Sequence, residues 1–136
     1  MFTAHLEAVA RGEGIDAPVY DFATHGRVGT RRVEPAPLVV VEGLMPWVLP
    51  GLHGRYGLRV YVDADDALCL GRRIARDTTE RGRTRASVVA QYEATVRPMA
   101  ALHVRPQRDT ADLVVDGAAP TGDALERVLR AVRNRQ

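Results

Sequence analysis

The stretch Leu58–Arg83, LRVYVDADDALCLGRRIARDTTERGR, decides the fold class. Leu58–Val62 is a short apolar run that reads as a strand ending in Asp63. Asp65 then stands where a helix cap is needed, with a side-chain oxygen able to accept a free backbone N–H of the first turn. Ala67, Leu70 and Ile74 recur at helical spacing, so a helix is predicted over Asp66–Thr79, and Gly82 interrupts it. A strand followed at once by a capped helix is the repeating unit of an α/β fold with a mainly parallel sheet.

The flanking sequence continues that alternation. Downstream, Thr84 can cap a second helix carrying Val88, Tyr92, Val96 and Met99, with a kink expected at Pro98. Leu113–Val115 reads as a further strand, and Asp123–Arg133 as a closing helix with Leu125, Val128, Leu129 and Val132 inward. Upstream, Leu38–Val41 is an unbroken apolar run, predicted to be a buried strand that delivers Glu42 at its C-terminal end. Between the two strands Pro46, Pro50, Gly51, Gly54 and Gly57 leave at most a short helix near Trp47–Leu52. Phe2–Arg11 reads as a helix ended by Gly12 and Gly14. Val19–Phe22 and Arg31–Glu34 read as two extended arms around a glycine-containing turn.

Composition narrows the function. A chain of 136 residues fits one domain with a core, and its net charge of +2 is too small to argue for a nucleic-acid partner. No window approaches the length of a membrane span, and no charged leader with an apolar run opens the sequence. The single Cys69 excludes an internal disulfide and fits a reducing, cytoplasmic setting. All nineteen basic residues are arginine. Chemistry that needs a lysine, such as a Schiff base or a phosphate-loop lysine, cannot be completed by this chain alone.

Three places concentrate chemical groups. Pro18–Arg27, PVYDFATHGR, packs two aromatics, an acid, a histidine and an arginine into ten residues. That density suits a pocket for a flat, hydrogen-bonding ring, while a hairpin arm turning at His25–Gly26 is the plainer account. Arg73 and Arg76 share a helix face, and Arg81 and Arg83 sit on the turn that Gly82 bends. Four guanidinium groups directed at one place repel unless an anion accepts them, and phosphate oxygens match their fork. An ordinary charged helix face, part-neutralised by Asp77 and Glu80, is the alternative. Glu42, at a strand end, can hold magnesium or simply start a loop. Other chemistries find no support. The four histidines and one cysteine lack metal-ligand spacing, Gly26–Thr30 has no lysine, and Ser87 has no histidine nearby.

Taken in order, PVYDFATHGR, VVVEG at Val39–Gly43, RRIARDTTERGR at Arg72–Arg83, QYEATVRPM at Gln91–Met99 and ADLVV at Ala111–Val115 resemble uridine kinases. These belong to the uridine–cytidine kinase and phosphoribulokinase group of P-loop kinases, and order and spacing agree over about residues 6 to 116. The resemblance implies a partial three-layer P-loop fold, with residues 1–136 as a single partial kinase domain. It implies phosphorylation of a pyrimidine nucleoside at its 5′ position by a nucleoside triphosphate, with Mg2+ and ATP or GTP. By position, Tyr20 and His25 match residues facing the base, and Arg73, Arg83 and Gln91 match nucleoside contacts. Arg76 and Arg81 match the phosphate-covering lid, and Glu42 matches the acid near magnesium. Val33-Glu-Pro, VVVEGL and Val104-Arg-Pro-Gln-Arg lean instead towards a phosphoribulokinase-like sugar kinase. A non-catalytic nucleoside- or partner-binding relative and an arginine-rich module for an anionic partner stay open beside it.

The departure from the family lies at the start. The first strand, the GxxxxGK[ST] loop and the general-base aspartate have no counterpart in these residues. The family's sheet places that first strand between the two predicted at Leu38–Val41 and Leu58–Val62, so its loss would leave two apolar edges unpaired. The expectation is that this chain does not phosphorylate uridine unaided. A homo-oligomer is compatible with the sequence.

Overall fold

The computed structural model describes residues 2–21, 24, 26–44, 51–52 and 54–135. They fall into two compact units, Met1–Pro46 and Trp47–Gln136.

In the first unit, helix α1 (Phe2–Ala10) leads into a hairpin of β1 (Ile15–Asp21) and β2 (Gly26–Val33). The strands pair antiparallel from Ile15 opposite Val33 to Asp21 opposite Gly26, with a bulge between Val19 and Tyr20. The hairpin is thus longer than the two arms read from sequence. Pro18 fits within it because each strand of a two-stranded sheet has one edge that needs no donor. No described residue of this unit is buried.

One expectation fails here. Residues 38–41 form no strand, and Leu38, Val39 and Val40 are exposed. A strand is stable only when its N–H and C=O groups find a ladder partner, and no described strand pairs with this run. Glu42 therefore does not stand at the end of a strand. The short helix expected near residues 47–52 lies largely outside the described residues.

The second unit holds β3 (Val60–Asp63), α2 (Asp66–Glu80), α3 (Arg85–Gln91), β4 (Leu113–Asp116) and α5 (Thr121–Arg133). Strands β3 and β4 pair in parallel, Val60 beside Leu113 through Asp63 beside Asp116. Both predicted caps form: Asp65 accepts from the Leu68 N–H at 2.7 Å and Thr84 from the Ser87 N–H at 3.2 Å. The core comprises Leu52, Val88, Tyr92 and Val115.

Pro98 disturbs its helix without ending it. A π-helical turn over Tyr92–Val96 precedes a short α-turn, α4 (Arg97–Met99), and a second π-turn (Ala100–Val104) and a 3₁₀ segment (Arg105–Thr110) follow. Proline lacks the N–H that would close the regular ladder, and widening the turn is one way to accommodate it. Helix α5 packs against β4, yet Leu125 and Leu129 remain exposed while Val128 and Val132 are half-buried. A two-stranded sheet is narrower than the helix's apolar face, so only part of the expected inward set is covered.

Arg59 and Asp112 clamp the entrance to both strands. The Asp112 carboxylate accepts from the Arg59 backbone N–H at 2.8 Å and from its Nε at 3.0 Å, and Arg135 approaches to 3.1 Å.

Candidate functional site

The arginines singled out in the sequence converge, and they converge on an acid of their own chain. Asp77, near the end of α2, is fully buried. Its Oδ1 accepts from Arg76 Nε at 3.0 Å and from Arg81 Nη1 at 3.2 Å. Its Oδ2 accepts from Arg83 Nη1 at 3.4 Å and lies 3.7 Å from Arg73 Nε. Two backbone features make this possible. Helix periodicity sets Arg73 one turn before Asp77. Gly82 then adopts a left-handed φ of 61°, open to glycine at no steric cost. The turn carries Arg83 back until its own N–H donates to the Asp77 carbonyl at 3.1 Å.

A second node joins the cluster to α3. Gln91 Oε1 accepts from Arg83 Nη1 at 2.6 Å and from Arg73 Nη2 at 3.0 Å. Arg83 also donates to the Ser87 carbonyl at 3.3 Å. With both oxygen lone pairs engaged, the Gln91 amide keeps its NH2 donors for anything that binds beside it. Five of the residues named from sequence, Arg73, Arg76, Arg81, Arg83 and Gln91, thus form one network.

The electrostatics favour an added anion. Burial pushes the Asp77 carboxyl up, but the hydrogen bond from Arg76 and the charges of Arg76, Arg73 and Arg81 outweigh it and hold it below its ordinary value. One carboxylate faces four guanidinium groups, so positive charge remains in excess. Arg73 Nε is buried with no hydrogen-bond partner, and such a donor costs free energy until an acceptor reaches it. Arg76 and Arg81 are the outer pair, with side chains 45% and 36% exposed, against 23% and 30% for Arg73 and Arg83.

Asp77 itself was assigned only a neutralising part by the sequence. The signal was present: continuing the stripe Ala67, Leu70, Ile74 by one step lands on position 77, so an acid sits on the inward face.

The remaining candidates lie in the first unit. Tyr20 is exposed at the end of β1, next to the bulge, and is not packed into a core. His25 lies outside the described residues. Glu42 is exposed in a segment without a strand. No group of three or more metal-ligating side chains occurs among the described residues; a single carboxylate completed by water and phosphate oxygens still suits magnesium. The arginine cluster suits phosphate, but no described residue supplies a lysine for it.

An open depression of about 510 Å³ lies at the C-terminal ends of β3 and β4, where open parallel sheets bind ligands. Its acids already have partners: Asp63 takes Arg108 at 3.0 Å, Asp65 caps α2, and Asp116 accepts from the Ala118 N–H at 2.7 Å. Among the described residues no helix is long and apolar enough to cross a membrane.

The model of the Phosphoribulokinase / Uridine kinase family matches residues 2–122. A uridine kinase of Chloroflexus aurantiacus is 39% identical over 133 residues, covering 97% of this chain and 64% of the relative. Uridine kinases of Escherichia fergusonii and Salmonella newport are 41% identical over 128 residues, covering 93% of this chain and 60% of each relative. The chain therefore spans a little under two thirds of the length of the curated relatives it matches. On the extent of the family match and the identity to these relatives, the chain belongs to the Phosphoribulokinase / Uridine kinase family.

Proposed function

We propose that this chain carries the nucleoside-binding and lid portions of a kinase that phosphorylates a pyrimidine nucleoside, uridine or cytidine, at its 5′ position. Residues 1–136 are read as one partial kinase domain of a cytoplasmic protein. The observation that carries the reading is the single network of Arg73, Arg76, Arg81, Arg83 and Gln91 around a buried carboxylate. Arg76 and Arg81, the outer pair, are assigned to the transferring phosphoryl group, where preformed positive charge stabilises the charge that develops. Arg73, Arg83 and Gln91 are assigned to the nucleoside. The NH2 of Gln91 is a donor suited to a pyrimidine carbonyl, and the two arginines fix its orientation.

Tyr20 and His25 are assigned to the base, and Glu42 to magnesium, on the family resemblance alone. When bound, ATP or GTP supplies the phosphoryl group and Mg2+ neutralises its oxygens. The residues described here position and clamp; the phosphate loop and general base of the family have no counterpart among them. Turnover by this chain alone is therefore expected to be absent.

Titration calorimetry of the purified chain with uridine tests the reading. Binding is expected, weakened about tenfold by Gln91→Ala because a donor to a bound carbonyl is lost. Ribulose 5-phosphate is the comparison ligand, since the family's own name covers sugar kinases. Binding of the sugar phosphate with none of uridine would overturn the nucleoside assignment in favour of the sugar-kinase reading.

A further inference from the structure

We propose that Asp77 is the positioning residue of the lid, a resident anion that assembles four arginines into the arrangement a polyphosphate then takes over. The inference rests on the reading that Arg76 and Arg81 meet a phosphoryl group. It goes beyond that reading by giving a part to a residue that touches no substrate.

Four guanidinium groups brought within ion-pairing distance of one carboxylate repel one another, and without that counter-charge they would spread into solvent. Asp77 supplies that charge from a position no ligand can enter, since it is fully buried. Its two oxygens divide the four groups. Oδ1 takes Arg76 and Arg81, the more exposed pair. Oδ2 faces Arg73 and Arg83, the pair that Gln91 also holds. The inner pair is thus held by Asp77 and by Gln91, while Arg76 and Arg81 meet Asp77 at its other oxygen. An arriving polyphosphate can draw Arg76 and Arg81 outward while Arg73 and Arg83 stay fixed to Asp77 and Gln91. Positions set in advance make later electrostatic contacts cost little reorganisation.

The charge count gives the proposal an unusual sign. Asp77→Asn removes a negative charge from a cationic cluster, so Coulomb attraction alone predicts tighter binding of an anion. Positioning predicts the opposite.

The experiment is calorimetric titration of the full chain with tripolyphosphate, using the parent, Asp77→Asn, Asp77→Glu and the double variant Arg76→Ala/Arg81→Ala, with a thermal melt of each. The expected result is that Asp77→Asn, still folded, binds about tenfold more weakly, and that Asp77→Glu recovers part of the loss. Binding by folded Asp77→Asn as tight as the parent's, or tighter, overturns the proposal while leaving the lid reading intact, provided the double variant is weakened. If the double variant binds as the parent does, the lid reading fails and the proposal falls with it. Should Asp77→Asn not fold, the parent decides through the nitrogen-15 resonance of Arg76 Nε. Saturating tripolyphosphate is expected to shift that resonance as the bond to Asp77 Oδ1 is exchanged for phosphate, and an unmoved resonance overturns the hand-over.

Discussion

Among the described residues up to position 44 no side chain is buried, whereas the second unit encloses Leu52, Val88, Tyr92 and Val115 together with Asp77 and Gln107. The hairpin is held chiefly by its backbone ladder, with ion pairs such as Arg32–Glu34 lying at the surface. Exposed pairs of that kind contribute at most about 1 kcal/mol. The helical unit has apolar side chains to exclude water and puts its arginine network on the same buried framework. The arginine network thus sits where displacement is most costly, and the hairpin belongs to the less packed unit.

The sharpest break in that comparison is Leu52→Ala. Leu52 is fully buried, and truncating such a leucine costs about 3 kcal/mol from lost transfer free energy and the cavity left behind. Hydrogen exchange at the amides of β3, β4 and α3 is expected to speed up accordingly, while the amides of β1 and β2 change little. Equal acceleration in both units would show that they unfold as one.

A smaller effect is expected at Asp112, and it carries a pH signature. Hydrogen bonds from the Arg59 side chain and backbone N–H, joined by Arg135, hold its carboxyl below its ordinary value. A group whose folded pKa is depressed adds stability that is present above its unfolded pKa, about 4, and lost as pH falls through the folded value. The second unit should therefore weaken progressively below about pH 4. Asp112→Asn should cost about 2 kcal/mol at neutral pH, and it should remove part of the acid sensitivity. An unaltered acid transition in that variant would show that other carboxylates, Asp77 and Asp66 first, carry it.

What was legible in the sequence follows from how local each signal is. The caps at Asp65 and Thr84, the glycine stop after α1 and the disturbance at Pro98 each depend on a few neighbouring residues, and each is found. The run at residues 38–41 reads as a strand because a buried strand and an unpaired apolar stretch share one pattern; only a ladder partner separates them. Leu125 and Leu129 fail for a related reason, since an apolar stripe says that something should cover it and not how wide the cover is. The convergence of the arginines was legible from spacing. Its centre was missed because an acid among arginines reads as a solvated neighbour, although the helical period already pointed Asp77 inward.

The smallest effect tests the thin side of the comparison. Val28 lies in β2 opposite no core and is 62% exposed. Val28→Ala removes little area from contact, so its expected cost is less than about 0.5 kcal/mol, that of an ordinary surface substitution. Part of even that loss would come from the poorer fit of alanine to a pleated strand rather than from packing. The measurement is hydrogen exchange at the paired amides of β1 and β2, which report opening of the hairpin itself. If Val28→Ala instead accelerated exchange as strongly there as Leu52→Ala does in the helical unit, valine 28 would have to be covered in solution. The hairpin would then owe its stability to buried apolar surface, and the contrast between the two units would fall.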